Sequence, residues 1–116
     1  MSATSISAYL GYAIGDTLTM SRTYSNELST YTAVTHNPSL IVPAITTDQQ
    51  IHFNDVTTAS VIFIETTQPV SIKLDSTSNT PILINQLCYI TTTATALYVS
   101  NGNIVDATLR IMIIGV

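Results

Sequence analysis

Charge is what this chain has least of. Three Lys or Arg and seven Asp or Glu make 9% of its 116 residues charged, where an ordinary soluble domain carries about 25%. The three cations, Arg22, Lys73 and Arg110, are scattered, and the net charge is −4. No basic stripe exists to neutralise phosphates, so nucleic acid is not an expected partner. Tryptophan is absent and aromatic residues reach only 7%, which removes the usual stacking platforms of a sugar-cleaving cleft. A single cysteine, Cys88, excludes an internal disulfide and fits folding in a reducing cytosol. The four glycines are isolated, so no phosphate-cradling loop can form. Long apolar runs are missing too. The stretch at 109–116 is broken by Arg110 and Gly115 and falls far short of a membrane span. Residues 1–14 lack the basic start and continuous apolar segment of a signal peptide. No membrane partner is expected, and the chain reads as made in the cytoplasm of its host.

Hydroxyl side chains stand where charges normally would, with 20 Thr and 12 Ser. Apolar residues make up 46%. A surface of this kind is either neutral and wet or covered by other subunits, and interface cores are depleted in charge. The covered reading is preferred.

Period-2 alternation dominates the chain. Leu18, Met20, Arg22 and Tyr24 alternate with hydroxyl residues, as in a half-exposed strand. A second Thr- and Tyr-rich strand is expected over 29–36. Asn37-Pro38 should break it, leaving 40–44 as an edge strand or linker. Strands follow over 49–54, 59–65 (apolar on both faces, hence central), 70–74, 82–84, 87–91 and 96–100. Asn101-Gly102-Asn103 suggests the positive-φ positions of a tight hairpin. In the last strand Val105, Ala107, Leu109, Ile111 and Ile113 alternate inward. The opposite face runs from Asp106, Thr108 and Arg110 to Met112 and Ile114, and a face that turns apolar partway enters a contact or tucks under a loop of the same chain. About eight short strands with no helix long enough for a parallel crossover predict an all-β antiparallel two-sheet sandwich, jelly-roll or immunoglobulin-like. Ile6, Tyr9, Leu10, Ala13 and Ile14 fall at helical spacing, so residues 1–14 are expected to form an N-terminal arm or short helix ahead of a single sandwich domain at 15–116.

Side chains with chemistry do not assemble into a signature. His36 and His52 have no further His or Cys to complete a metal set. The acids sit mostly at strand ends and turns, where they serve backbone donors. Asp48, Asp55 and Asp75 lack the spaced, glycine-bearing loop of a calcium site. Cys88 lies in an apolar strand with no neighbouring base. No enzyme activity, metal or cofactor is expected. Tyr9, Tyr12, Tyr24 and Tyr31 concentrate in the first third, and tyrosine is enriched at interfaces. The residues expected at an interface are Ile6, Tyr9, Leu10, Tyr12 and Ile14 from the arm, with Met112 and Ile114 from the last strand.

One resemblance rests on the strand Gly15-Asp16-Thr17-Leu18-Thr19-Met20-Ser21-Arg22-Thr23-Tyr24. It extends through Thr58-Ala59-Ser60-Val61-Ile62-Phe63-Ile64, Val70-Ser71-Ile72-Lys73-Leu74, Leu87-Cys88-Tyr89-Ile90, Ala96-Leu97-Tyr98-Val99-Ser100 and the apolar terminal strand. In these the chain resembles the small all-β accessory virion proteins of tailed bacteriophages, capsid decoration or cement proteins in particular. The likeness is one of texture, shared with other phage head, tail and fibre domains. It implies a homo-oligomer, a trimer foremost, on the capsid exterior, bridging copies of the major capsid protein without catalytic residues. A tail- or fibre-associated structural protein and a carbohydrate-binding β-sandwich module are the alternatives.

Overall fold

The structure, a computed structural model, describes residues 33–116 in full and, of the first 32, the backbone of 5–14 and 17–27. The chain divides into two compact units, Met1–Thr32 and Ala33–Val116.

The first unit contains an antiparallel pair, β1 (Ser5–Ile14) and β2 (Thr17–Glu27). Residues 5–14 are therefore a paired strand and not the short helix that their spacing suggests. The alternation read at 17–24 extends through Asn26 and Glu27 to the end of β2. The division falls after Thr32 and not after Ile14, so β2 belongs to the first unit.

The second unit is the expected antiparallel sandwich. Its eight strands are β3 (Ala33–Val42), β4 (Thr46–Ile51), β5 (Ala59–Thr66), β6 (Val70–Leu74), β7 (Ile82–Ile84), β8 (Leu87–Ala94), β9 (Leu97–Asn101) and β10 (Ala107–Gly115). One sheet has the order β3-β10-β5-β8 and the other β4-β9-β6-β7. Four of the antiparallel pairings, β3 with β10, β4 with β9, β5 with β8 and β6 with β7, nest like the two arms of one long hairpin. Its apex is the loop at 75–81. Wrapping that hairpin adds the lateral pairings of β10 with β5 and β9 with β6. Every connection except that between β6 and β7 crosses from one sheet to the other. This is the eight-stranded jelly-roll arrangement of double Greek keys.

Strand periodicity builds the core. Leu109, Ile111 and Ile113 of β10 and Ile62 and Ile64 of β5 face Val70 and Ile72 of β6 and Leu97 and Val99 of β9, all buried. Each such branched side chain removed from water contributes roughly 1.5–3 kcal/mol.

Three local expectations are corrected. Asn37-Pro38 does not end a strand, because β3 runs through it. Leu40 pairs with Leu109 and Asn37 with Ile111, so Pro38 and Ser39 together oppose one residue in a bulge. An edge strand tolerates proline there, since no ladder bond needs its missing N–H. Asn101-Gly102-Asn103 does not make a hairpin, because β9 and β10 lie in different sheets. Neither asparagine has a positive φ. Val105 precedes β10 and is exposed rather than facing inward.

Gly115 closes the sandwich against the segment before β5. Val116 exchanges main-chain hydrogen bonds with Thr58, donating at 3.1 Å and accepting at 3.0 Å. A Cβ on Gly115 would lie 1.8 Å from the Thr58 carbonyl oxygen. That is backbone against backbone, with no flexible side chain to give way. Gly115→Ala is expected to destabilise the fold by about 1–3 kcal/mol, measured by chemical denaturation. A variant as stable as the parent would show that the two segments are not held this close.

Candidate interaction surfaces

Two rows of the outer face of the β3-β10-β5-β8 sheet are largely apolar, and a third carries Leu87 beside Glu65 and Arg110. Register places Tyr89, Phe63, Met112 and His36 in one row, and Thr91, Val61, Ile114 and Val34 in the next. Leu87, Tyr89 and Val34 are exposed, Phe63 and Met112 half-buried. Ile114 and Val61 are already covered within the chain, at 1% and 2% exposure. Of the two interface residues expected from the last strand, Met112 is thus partly open, whereas Ile114 is buried within its own chain. Ile6, Tyr9, Leu10, Tyr12 and Ile14 all lie on β1, opposite Asn26, Thr23, Arg22, Met20 and Thr17 of β2. The surroundings of their side chains, and those of Tyr24 and Tyr31, lie outside the described residues.

A second apolar surface caps one end of the sandwich. Ile45 in the β3–β4 turn and Ile104 and Val105 in the β9–β10 loop are 69%, 88% and 53% exposed. Ile45 holds φ at 56°, a left-handed conformation that branched side chains disfavour by about 1–2 kcal/mol. A polar network fixes both loops. The Asn101 side chain, fully buried, donates to the Val42 and Val105 carbonyls at 3.1 and 2.9 Å. Its oxygen accepts from the Asn103 main chain and side chain at 3.0 and 2.9 Å. Asn103 also donates to the Pro69 carbonyl at 2.7 Å, and its own carbonyl accepts from Ile45 N–H at 3.1 Å. The Asp106 carboxylate accepts from Ala44 N–H at 2.9 Å. The aliphatic tip is therefore a rigid projection. Sequence reasoning missed it, although the Ile104-Val105 pair directly after a turn signal was the available clue.

A cleft of about 450 Å³ opens on one side of the sandwich between β3 and β4. Leu40, Ile51, Ile111 and Ile113 form its floor, and Asn37, Gln49, Gln50, His52 and Asn54 its polar rim. Thr35, also lining it, donates its hydroxyl to the Phe53 carbonyl.

The histidines lie apart. His36 stands opposite Met112 on the outer sheet face and His52 at the cleft. Among the described residues, no three His, Cys, Asp or Glu side chains come together as a metal set. Asp48, at a bulge in β4 with φ 51°, pairs with Lys73 of β6 at 3.1 Å. Asp75 accepts from Thr95 N–H at 2.7 Å beside the hairpin apex. Glu65 and Arg110 pair at 3.8 Å on an open surface, where such contacts contribute at most about 1 kcal/mol. Burial pushes the Cys88 thiol up from its ordinary value, the opposite direction from an activated nucleophile.

No family model, curated protein or solved structure matches the chain. The functional reading therefore stands on these surfaces.

Two outcomes follow from the tip. Asn101→Ala, which strips partners from several carbonyls and N–H groups at once, is expected to cost at least about 2 kcal/mol in denaturant unfolding. A loss below a few tenths would mean water replaces the side chain freely. Ile45→Asn is expected to stabilise the isolated protein by about 1 kcal/mol, because asparagine tolerates the left-handed region. A lower melting temperature for that variant would show that the Ile45 side chain packs instead of projecting.

Proposed function

We propose that this chain is a structural virion protein, a capsid decoration or cement protein that bridges and stabilises major capsid protein subunits from the outer surface of a phage head. In this reading it is a homo-oligomer made in the host cytoplasm, with no catalytic or cofactor chemistry. The observation that carries it is the coincidence of a nearly uncharged exterior with aliphatic side chains held rigidly in the open at Ile45, Ile104 and Val105. An isolated soluble domain gains nothing by straining its backbone to expose isoleucine. A protein that docks does, because apolar area removed from water contributes roughly 25 cal/mol per Å² before association costs. Contacts of that kind are also little weakened by salt, unlike charge-steered docking.

Repetition supplies the stabilising effect. In this reading each copy clamps neighbouring capsid subunits of the assembled lattice, and whatever binds the assembled state preferentially shifts the equilibrium toward it by mass action. The exposed apolar residues of the outer sheet face, Val34, Leu87 and Tyr89, are a further surface available for a neighbour.

Virions banded on a density gradient from a lysate that produces this chain should retain it through high salt. Averaged electron micrographs should place it at regular positions on the outer head. Ile104→Asp, on a side chain 88% exposed, is expected to lower its occupancy at least tenfold without altering its folding. Recovery of the chain wholly in the free fraction would overturn the proposal, and density confined to the tail would move it to a tail or fibre subunit.

The cleft favours a second reading, a carbohydrate-binding module. Its rim amides offer neutral donors and acceptors suited to sugar hydroxyls, above an aliphatic floor. Glycan-array binding abolished by Gln49→Ala would favour that reading over the first.

A further inference from the structure

We infer that β8 is a self-association edge, pairing antiparallel with β8 of a second copy about a twofold axis at Tyr89. The argument begins with a comparison of the four outer strands, since an unpaired strand edge is a template for another chain unless something blunts it. β3 carries Pro38 in a bulge. β4 carries a bulge at Asp48, whose carboxylate pairs with Lys73. β7 has three residues and directly follows Pro81. β8 differs from all of these. From Leu87 to Thr91 it reads Leu-Cys-Tyr-Ile-Thr, without charge or proline, and its bulge lies beyond, at Thr92 and Thr93. Among the described residues nothing pairs with its outer edge.

The hydrogen-bond parity shows which main-chain groups that edge presents. Thr66 N–H donates to the Gln86 carbonyl at 2.9 Å, on the β8 side of β5. Thr67 N–H donates to the Thr108 carbonyl at 3.1 Å, on the β10 side. In an antiparallel ladder, bonded and non-bonded pairs alternate. Ile64 opposite Cys88 and Ile62 opposite Ile90 are therefore the bonded pairs of this ladder. The N–H and C=O groups of Leu87, Tyr89 and Thr91 consequently face away from β5.

One register satisfies all of them. Placing Tyr89 opposite Tyr89 sets Leu87 opposite Thr91 on both sides and pairs every outward donor with an outward acceptor. It opposes no like charges, and Glu65, the nearest acid on the adjoining strand, already has Arg110. The apolar row Met112, Phe63, Tyr89 then continues into its symmetry copy, and aromatic cross-strand neighbours stabilise such a seam. Cys88 and Ile90, half-buried in the single chain, become covered. A second copy is the matching occupant because the edge is complementary to itself, the condition for a closed twofold contact. The inference rests on this edge and not on the virion reading.

The same register gives a sharp test. Cys88 lies opposite Ile90 of the second copy in a non-bonded pair, where Cα atoms stand about 4.5 Å apart, within disulfide range. Full-length Ile90→Cys treated with diamide should form a covalent dimer on a non-reducing gel. The parent, whose Cys88 faces isoleucine, should not. In solution the parent should sediment at twice 12.5 kDa. Tyr89→Lys, on a half-open side chain that sets two cations against each other at the axis, should halve that mass with an unchanged circular dichroism spectrum. A monomeric parent overturns the inference, as does a dimer that neither substitution affects. A trimer indifferent to Tyr89→Lys overturns it as well and leaves the virion role standing.

Discussion

The sandwich depends on the burial of two facing sets of branched aliphatics. Leu109, Ile111, Ile113, Ile62 and Ile64 project from one sheet, and Val70, Ile72, Leu97 and Val99 from the other. β10 is central to this arrangement because it pairs with both β3 and β5 and carries three of these side chains. Its last residues hold the closing contact of Gly115 with the Thr58 carbonyl. With every connection but one crossing between sheets, no single hairpin can bury its own apolar face. Most of the nested pairings join residues at high sequence separation, which is the topology expected to fold slowly.

What the core leaves outside follows from the same alternation. Strands in a sandwich send every second residue away from the core, and here those residues are mostly Thr, Ser, Tyr and aliphatics, with few charges such as Glu65, Lys73 and Arg110. Much of the outer face of the β3-β10-β5-β8 sheet is therefore apolar without any special device. The tip at Ile45, Ile104 and Val105 is different in kind, since a buried asparagine network and a strained residue hold it in place. Backbone strain of this kind clusters at ligand clamps and switch regions. A surface without charge also makes edge protection depend on backbone devices such as Pro38 and the Asp48 bulge, and β8 lacks them along Leu87–Thr91.

Strand existence was largely legible, because a buried face needs period 2 and the pattern is clean at Val70, Ile72 and Leu74 and at Leu109, Ile111 and Ile113. Misreadings came where local chemistry met long-range pairing. Asn37-Pro38 looks like a strand end, yet the neighbouring β10 absorbs it as a bulge on an edge. Asn101-Gly102-Asn103 looks like a hairpin, yet its flanking strands are drawn to distant partners in separate sheets, such as Val99 to Gln49 and Leu109 to Leu40. The helical spacing of Ile6, Tyr9 and Leu10 lost to pairing with β2.

The residues alone determined the class of the molecule. Alternating Ile, Val and Leu separated by hydroxyl residues can bury one face only as sheets, and so few charges leave a neutral exterior in any such fold. Which strands became neighbours, which edge remained unguarded, and which isoleucines ended in water were decided only by the tertiary structure. Those features arise from contacts between residues far apart in sequence, and a local pattern carries no information about its distant partner.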